Sequence, residues 1–368
     1  GNAAIAVHTD ADTETAYNIA TENLDKYAVT EDDMTNPATI VAESIPDTLP
    51  EYTNRVMHEL IEISEADSII QDHPELQAYY KGNGRGRIGS LAAIGAWATF
   101  TDWTYETISY REDQSWGTQR DVNSESVIDA ANQAHPNVWD TIDRSNGDIV
   151  CVPHTPCPIL HGIRGDDKDA TVTVAEQITS EPVQSRQTFL TNQGTDVHLQ
   201  QGTIDTVDEH SAYHLPCVVS KTPETIEGGH VFFTVTAIDS TSTLQIAAFE
   251  PTKNFRKHVR NLREGDKIEV CGSISDGTLK LEKFNVVSLN TTELQNPYCE
   301  SCEKSMSSMG ADQGYRCGNC GDIRESKVEV TVERQLERGW YEVPPCARRH
   351  ISKPLIRFNT SEDTHPMT

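Results

Sequence analysis

With 368 residues, 36% of them hydrophobic, the chain is long enough for two to four domains with ordinary cores. It carries 57 acidic against 30 basic residues, a formal net charge of −27, and the excess starts early: residues 1–80 hold 17 Asp and Glu against Lys26 and Arg55. The hydrophobic content excludes a disordered acidic chain, no apolar run reaches the roughly 18 residues a membrane helix needs, and no secretory leader pattern is visible. The composition fits a folded protein with an acidic skin, of the kind that keeps halophile proteins soluble in concentrated salt. Against such a background a local basic island is informative, and net charge says little against a nucleic-acid partner.

In chain order, residues 1–8 (GNAAIAVH) read as a strand, Thr13–Lys26 and Glu51–Ile63 as helices, and Thr39–Ala42 as a short strand between them. YYKGNGRGRIGSLAAIGAW, residues 79–97, packs glycines and arginines into a loop that turns abruptly apolar, and Ile88–Ala98 reads as a buried helix. Glycines allow positive φ and close backbone approach. A glycine-rich loop at a helix N-terminus can aim free N–H groups at an anion, here through Asn83, Gly84, Arg85, Gly86 and Arg87. A plain turn with two solvated arginines fits the pattern as well. The spacing is neither that of a P-loop nor a dinucleotide fingerprint.

DWTYETISYRED alternates like a strand, SESVIDAANQAH reads as a helix with a Ser/Glu cap signal, and DIVCVPHTPCPILHGIRG is a strand that enters a proline-rich turn and leaves through Gly162 and Gly165. This alternation indicates one or two α/β units up to about residue 195. Beyond it the pattern is all-β: six short strands separated by Gly, Asp, Ser or Pro turns, with one helix, NFRKHVRNL, before the last pair. That order suggests an OB-type barrel, a common oligonucleotide binder, with a spacer barrel as the plainer reading.

Cys299-x2-Cys302 and Cys317-x2-Cys320, separated by fourteen residues, form the two knuckles of a zinc ribbon whose four thiolates would fill a structural Zn²⁺ site. With nine cysteines in all, this pairing favours a metal site in a reducing cytoplasm over a disulfide framework. Cys217, Cys271 and Cys346 have no partner spacing and read as small buried residues. Between Val343 and Phe358 lie Arg348, Arg349, Lys353, Arg357 and His350 without one acid. Such an island suits phosphate contacts, the alternative being a solvated basic turn. Residues 359–368 read as a disordered polar tail.

Taken together, KGNGRGRIGSLAAIG, TYETISYREDQSWGTQRDV and PHTPCPILHGIRG, followed by an OB-like region and a zinc ribbon, resemble the archaeal tRNA(Ile) 2-agmatinylcytidine synthetases (TiaS) over nearly the whole chain. The resemblance implies a multidomain α+β protein: a kinase-like catalytic unit at 1–80, N-terminally incomplete; a ferredoxin-like unit at 81–195; an OB-fold domain at 196–292; and a zinc ribbon with its basic extension at 293–358. It implies a cytoplasmic ATP- and Mg²⁺-dependent ligase that conjugates agmatine to C2 of the wobble cytidine of CAU-anticodon tRNA(Ile). The C2 oxygen is first phosphorylated, and the product tRNA reads AUA. On that reading His154, Thr155 and Arg164 lie at the catalytic site and residues 83–87 meet phosphate. Arg111, Trp116, Arg120, Arg348, Arg349, Lys353 and Arg357 meet tRNA, and Asp166 and Asp167 are weaker candidates for Mg²⁺.

One departure stands out. The family's aspartate-rich ATP-binding motif should precede the first strand, whereas Asp10 and Asp12 follow it. The expectation is therefore a chain without its first several dozen residues, or one that has lost the nucleotide site. In the second case it would be a catalytically inactive tRNA- or single-strand-binding protein.

Overall fold

In the computed structural model, which describes residues 4–28 and 36–358, the N-terminal unit runs α1 (Thr13–Tyr27), β1 (Ala38–Ala42), α2 (Leu49–His58), α3 (Ile63–Asp72), β2 (Leu76–Tyr80) and α4 (Gly86–Thr99). Residues 1–3 of the expected first strand and the expected disordered tail lie outside the described residues. Residues 4–8 form no strand, and Ile5 and Val7 are exposed. Asp12 caps α1, accepting the Thr15 amide at 2.9 Å. The helix expected over Glu51–Ile63 stops at His58, and Ile63 opens a separate helix that the sequence reading did not include. The apolar period continues, but the backbone turns extended at Glu59, which lets α3 fold back against α4. β1 and β2 pair antiparallel, and Leu49, Tyr52, Ala66, Leu76 and Leu91 fill the core between them and the helices.

The next unit is β3 (Thr104–Arg111), α5 (Ser124–Ala134), β4 (Val138–Trp139), a small hairpin of β5 (Ile142–Asp143) and β6 (Asp148–Ile149), β7 (Ile159–Gly165), α6 (Lys168–Gln177) and β8 (Val183–Thr191). Its antiparallel sheet has the order β4-β7-β3-β8, the ferredoxin-like βαββαβ arrangement. Alternation along β3 sends Thr107 to the helices, where its hydroxyl meets Thr171 at 2.9 Å; Val127, Ala130, Val138, Ile163 and Val174 pack around it. Asn123 caps α5 through the Ser126 amide, one residue ahead of the expected Ser124.

A short β9 (Leu199–Gln201) leads into β10 (Ala212–Thr225), β11 (Val231–Ala237), β12 (Thr243–Ala248), α7 (Phe255–Arg260), β13 (Lys267–Ser275) and β14 (Thr278–Ser288). Pairings β10–β11, β11–β12, β12–β14, β14–β13 and β13–β10 close a five-stranded barrel. The single helix between β12 and β13 is the OB topology expected. Irregular register in β10 lets one long strand pair with both β11 and β13. Leu215, Val231, Phe233, Ile246, Val270 and Phe284 fill the barrel. Of the six expected strands, β9 stays outside, pairing parallel with β10.

After the barrel, strands Thr292–Gln295 and Val328–Thr331 pair at the base of the cysteine knuckles. Arg334 then docks on Asp266 through two bonds of 2.7 and 2.8 Å, with both side chains buried. Gly339–Glu342 adds to β14, and residues 343–358 run back across the molecule as a strap.

Candidate active site and RNA-facing surfaces

The glycine loop is held from within. Gly86 N–H donates to the Asn36 carbonyl at 2.8 Å, Asn83 N–H to Asn36 Oδ1 at 2.9 Å, and Arg85 N–H to Asn83 Oδ1 at 3.0 Å. The amides of Gly84, Arg87 and Ile88 are spent on turn carbonyls. Arg87 is buried, grips the carbonyls of Gly84 and Asn83, pairs with Asp67 and lies 3.9 Å from the Tyr80 ring centre. A Cβ on Gly84 would strike that ring at 2.5 Å, and one on Gly86 would strike the backbone of Ala38 at 2.7 Å. Close approach explains these glycines. The expected nest of free amides is not what the loop presents, and of its two arginines Arg85 alone is exposed.

The start of β7 and the end of β3 build a second feature. Arg111 is fully buried, paired with Glu181 at 2.7 Å and bonded to the carbonyls of Thr118 and Gln119. An RNA-contacting role for Arg111 is therefore corrected: it holds the 111–121 turn. Trp116, on that turn, is 51% exposed and free to stack. Arg120 donates to the carbonyls of Pro153, Thr155, Cys157 and Ile159 at 2.8–3.1 Å. It too is an internal clasp, shaping the PHTPCP turn so that His154 and Thr155 stand exposed.

Arg164 does not join them. It sits at the far end of β7, about 20 Å along the strand from Pro158, pairing with Glu106 at 3.1 Å, Gln193 at 3.0 Å and the His350 ring at 2.9 Å.

His350 belongs to the strap, where the expected basic island turns inward. Arg348 is buried between Asp140 at 2.8 Å and Glu342 at 2.6 Å, and Arg349 pairs with buried Glu282 at 2.5 Å. Lys353 meets Asp102 at 2.6 Å; Arg357 meets Asp102 and Asp166 at 2.8 and 2.6 Å. These carboxylates lie on the ferredoxin-like unit, its flank and the barrel, so the island ties domains together, and the phosphate-facing reading of Arg348 and Arg357 is corrected. Asp166 also accepts Trp139 Nε1, and Asp167 caps α6, so each carboxylate has a partner within the fold. Cys217 and Cys271 are buried as expected, whereas Cys346, on the strap, is exposed.

Burial, then the charges of Arg164 and Arg348, push the His350 imidazole down to about 3. Burial drops His161 to about 4. Unfolded histidines take up protons near pH 6.5, so this stability is complete above that pH. It is lost as pH falls from 6.5 towards 4, by up to about 1.4 kcal/mol per pH unit per histidine. Urea unfolding at pH 7 and pH 5 should show the fall, and His350→Asn, which tolerates the φ of 62° found there, should flatten it. An equal fall in the variant would remove His350 from the explanation.

The four knuckle sulfurs lie within 4.8 Å of one another, with Cys299 Sγ and Cys320 Sγ 3.5 Å apart. Zinc–sulfur bonds of about 2.3 Å set sulfur–sulfur edges near 3.8 Å, so the set fits tetrahedral Zn²⁺ with no open position. The backbone amides of Cys320 and Asn319 hold the Cys317 thiol below its usual range, while burial and then the neighbouring sulfurs push Cys299 up, and the neighbouring sulfurs and then burial push Cys302 up.

Residues 84–198 match the family described as the TiaS FLD domain, and residues 296–336 match the TiaS C-terminal zinc ribbon domain. The tRNA(Ile) 2-agmatinylcytidine synthetase TiaS of Haloquadratum walsbyi is 43% identical over 97% of this chain and 86% of its own length. The chain belongs to the TiaS family. A solved complex of TiaS with tRNA(Ile) and ATP is 38% identical, covering 96% of this chain and 84% of that one, with a TM-score of 0.85. A complex of TiaS with tRNA(Ile), AMPCPP and agmatine is 37% identical over the same shares, with a TM-score of 0.83. The TiaS FLD match starts inside the glycine loop, although α4 packs on α2 in the N-terminal core. The TiaS ribbon match contains all four cysteines.

Proposed function

We infer that this chain joins agmatine to a cytidine of tRNA(Ile) in a reaction driven by ATP. The observation that carries the reading is identity of 37% or more over at least 96% of the chain to TiaS proteins, one solved with tRNA(Ile), AMPCPP and agmatine. A carbonyl oxygen at C2 is a poor leaving group, and ATP, when bound, supplies the phosphoryl group that makes it a good one. The attacking amine must be neutral, so a base or a partly desolvated site is needed beside it. The wobble cytidine must leave the anticodon stack to be reached.

Within the chain, exposed Arg85 at the start of α4 is the proposed phosphate contact. Trp116 offers a stacking face for an extruded base. His154 and Thr155, on the clasped turn, are the proposed base and hydroxyl contact. The barrel and ribbon hold the RNA body. Among the described residues the four cysteines are the one cluster fit to hold a metal, so Mg²⁺ is proposed to enter with the nucleotide's phosphates. Thiols kept as zinc ligands suit a reducing cytoplasm. A catalytically inert binder is not favoured, because the FLD match spans the PHTPCP turn, which binding alone does not require.

Radiolabelled agmatine should enter tRNA(Ile) only when ATP is present. Arg120→Lys keeps the charge but cannot hold four carbonyls at once. It should lower kcat about 10- to 100-fold with the KM for tRNA unchanged, since small misplacement of catalytic groups has effects of that order. Wild-type kcat in Arg120→Lys would detach the turn from the chemistry.

A further inference from the structure

A cavity of about 430 Å³ lies where the ferredoxin-like unit, α7 and the strap meet. Its size falls within the range of small-molecule sites. Rings from three separate elements line it: Trp139 from β4, Phe255 and His258 from α7, and Trp340 and Tyr341 from the strand added to β14. Its charged side chains balance three against three, Asp140, Asp143 and Glu342 against Arg144, Lys253 and Arg348, with exposed Arg144 held at the rim by Asn132 Oδ1 and the Ala131 carbonyl. Arg348 lies between Asp140 and Glu342, and Lys253 pairs with Asp148 at 2.6 Å and stands 3.7 Å from Asp143. A wall whose charges cancel is a poor host for a phosphate or an amine cation and a good one for a neutral aromatic ring. One hydroxyl of the wall is unspent: Thr141 Oγ1, on a residue 2% exposed, has no hydrogen-bond partner among the described residues. A buried hydroxyl without a partner is costly unless a ligand satisfies it. Asn254 and Ser145, both exposed, also line the cavity and give it access to solvent.

We propose that this cavity holds one unpaired nucleobase, stacked among the rings and hydrogen-bonded by Thr141. Aromatic side chains of this kind are the usual platform for single-stranded bases. The proposal rests on the reading of the chain as a tRNA-modifying enzyme. Two sources present such a base: the single-stranded 3′ end of the tRNA, and a free adenine nucleotide.

Thr141→Val keeps the shape of the wall and removes the hydroxyl, and circular-dichroism melting checks that the variant folds. Binding is measured for tRNA(Ile), for the same tRNA trimmed of its unpaired 3′ nucleotides, and for AMP. With the RNA terminus as occupant, the substitution weakens intact tRNA about fivefold, the size of one net hydrogen bond, and leaves trimmed tRNA unchanged. With a free nucleotide as occupant, AMP binding weakens about fivefold and both tRNAs bind the variant as they bind the wild type. Unchanged affinity for AMP and for both tRNAs overturns the proposal. Wild-type protein that binds neither tRNA would contradict the functional reading itself, and the AMP arm would then decide the cavity alone.

Discussion

Replacing Cys317 and Cys320 by serine is expected to take the zinc content from one per chain to none and to unfold the knuckles while the barrel stays folded. Structural zinc sites contribute apparent binding free energies on the order of 10–16 kcal/mol, far more than the few small apolar contacts of the knuckle core can replace. The barrel has its own core around Phe233, Val270 and Phe284, so its far-UV signal and melting should persist. Affinity for tRNA(Ile) should fall with the ribbon. Metal analysis of the purified variant is the check, and unchanged zinc would refute the site.

Arg348→Ala should destabilise the protein by about 3–5 kcal/mol, because it strands the buried carboxylate of Asp140 beside Glu342. A solvated basic residue would cost within about 0.5 kcal/mol and would instead weaken RNA binding at fixed salt. The two readings of the basic island thus predict opposite results from one denaturation curve and one binding curve. Loss of affinity without loss of stability would restore the phosphate-facing reading. Replacing Asp140 and Arg348 together by apolar residues should recover much of the stability, since a removed pair leaves less uncompensated charge than a broken one.

What was legible in the sequence was local. The Cys-x2-Cys pairs, the alternation along β3 and β11, and the helix between β12 and β13 each reside in a few neighbouring residues, and the zinc site and barrel followed from them. The strap was not legible. Arg348 lies 208 positions from Asp140 and Arg357 lies 191 from Asp166, and a run of basic residues records its sign, never the place of its counter-charge. The glycine loop failed for a related reason: whether its amides stay free depends on Asn36, some 50 residues upstream. Arg120 reads as a tRNA contact in the sequence because its four partners are carbonyls, which leave no mark in composition. The break at Glu59 escaped because the apolar period runs unbroken from α2 into α3.

The most direct test is nucleoside mass spectrometry of a CAU-anticodon tRNA(Ile) transcript incubated with this chain, ATP, Mg²⁺ and agmatine in molar KCl. The expected result is a cytidine at the wobble position that is heavier by one agmatine less one water, formed only when ATP is present. Bound tRNA whose wobble cytidine stays unmodified with every substrate supplied would contradict the account.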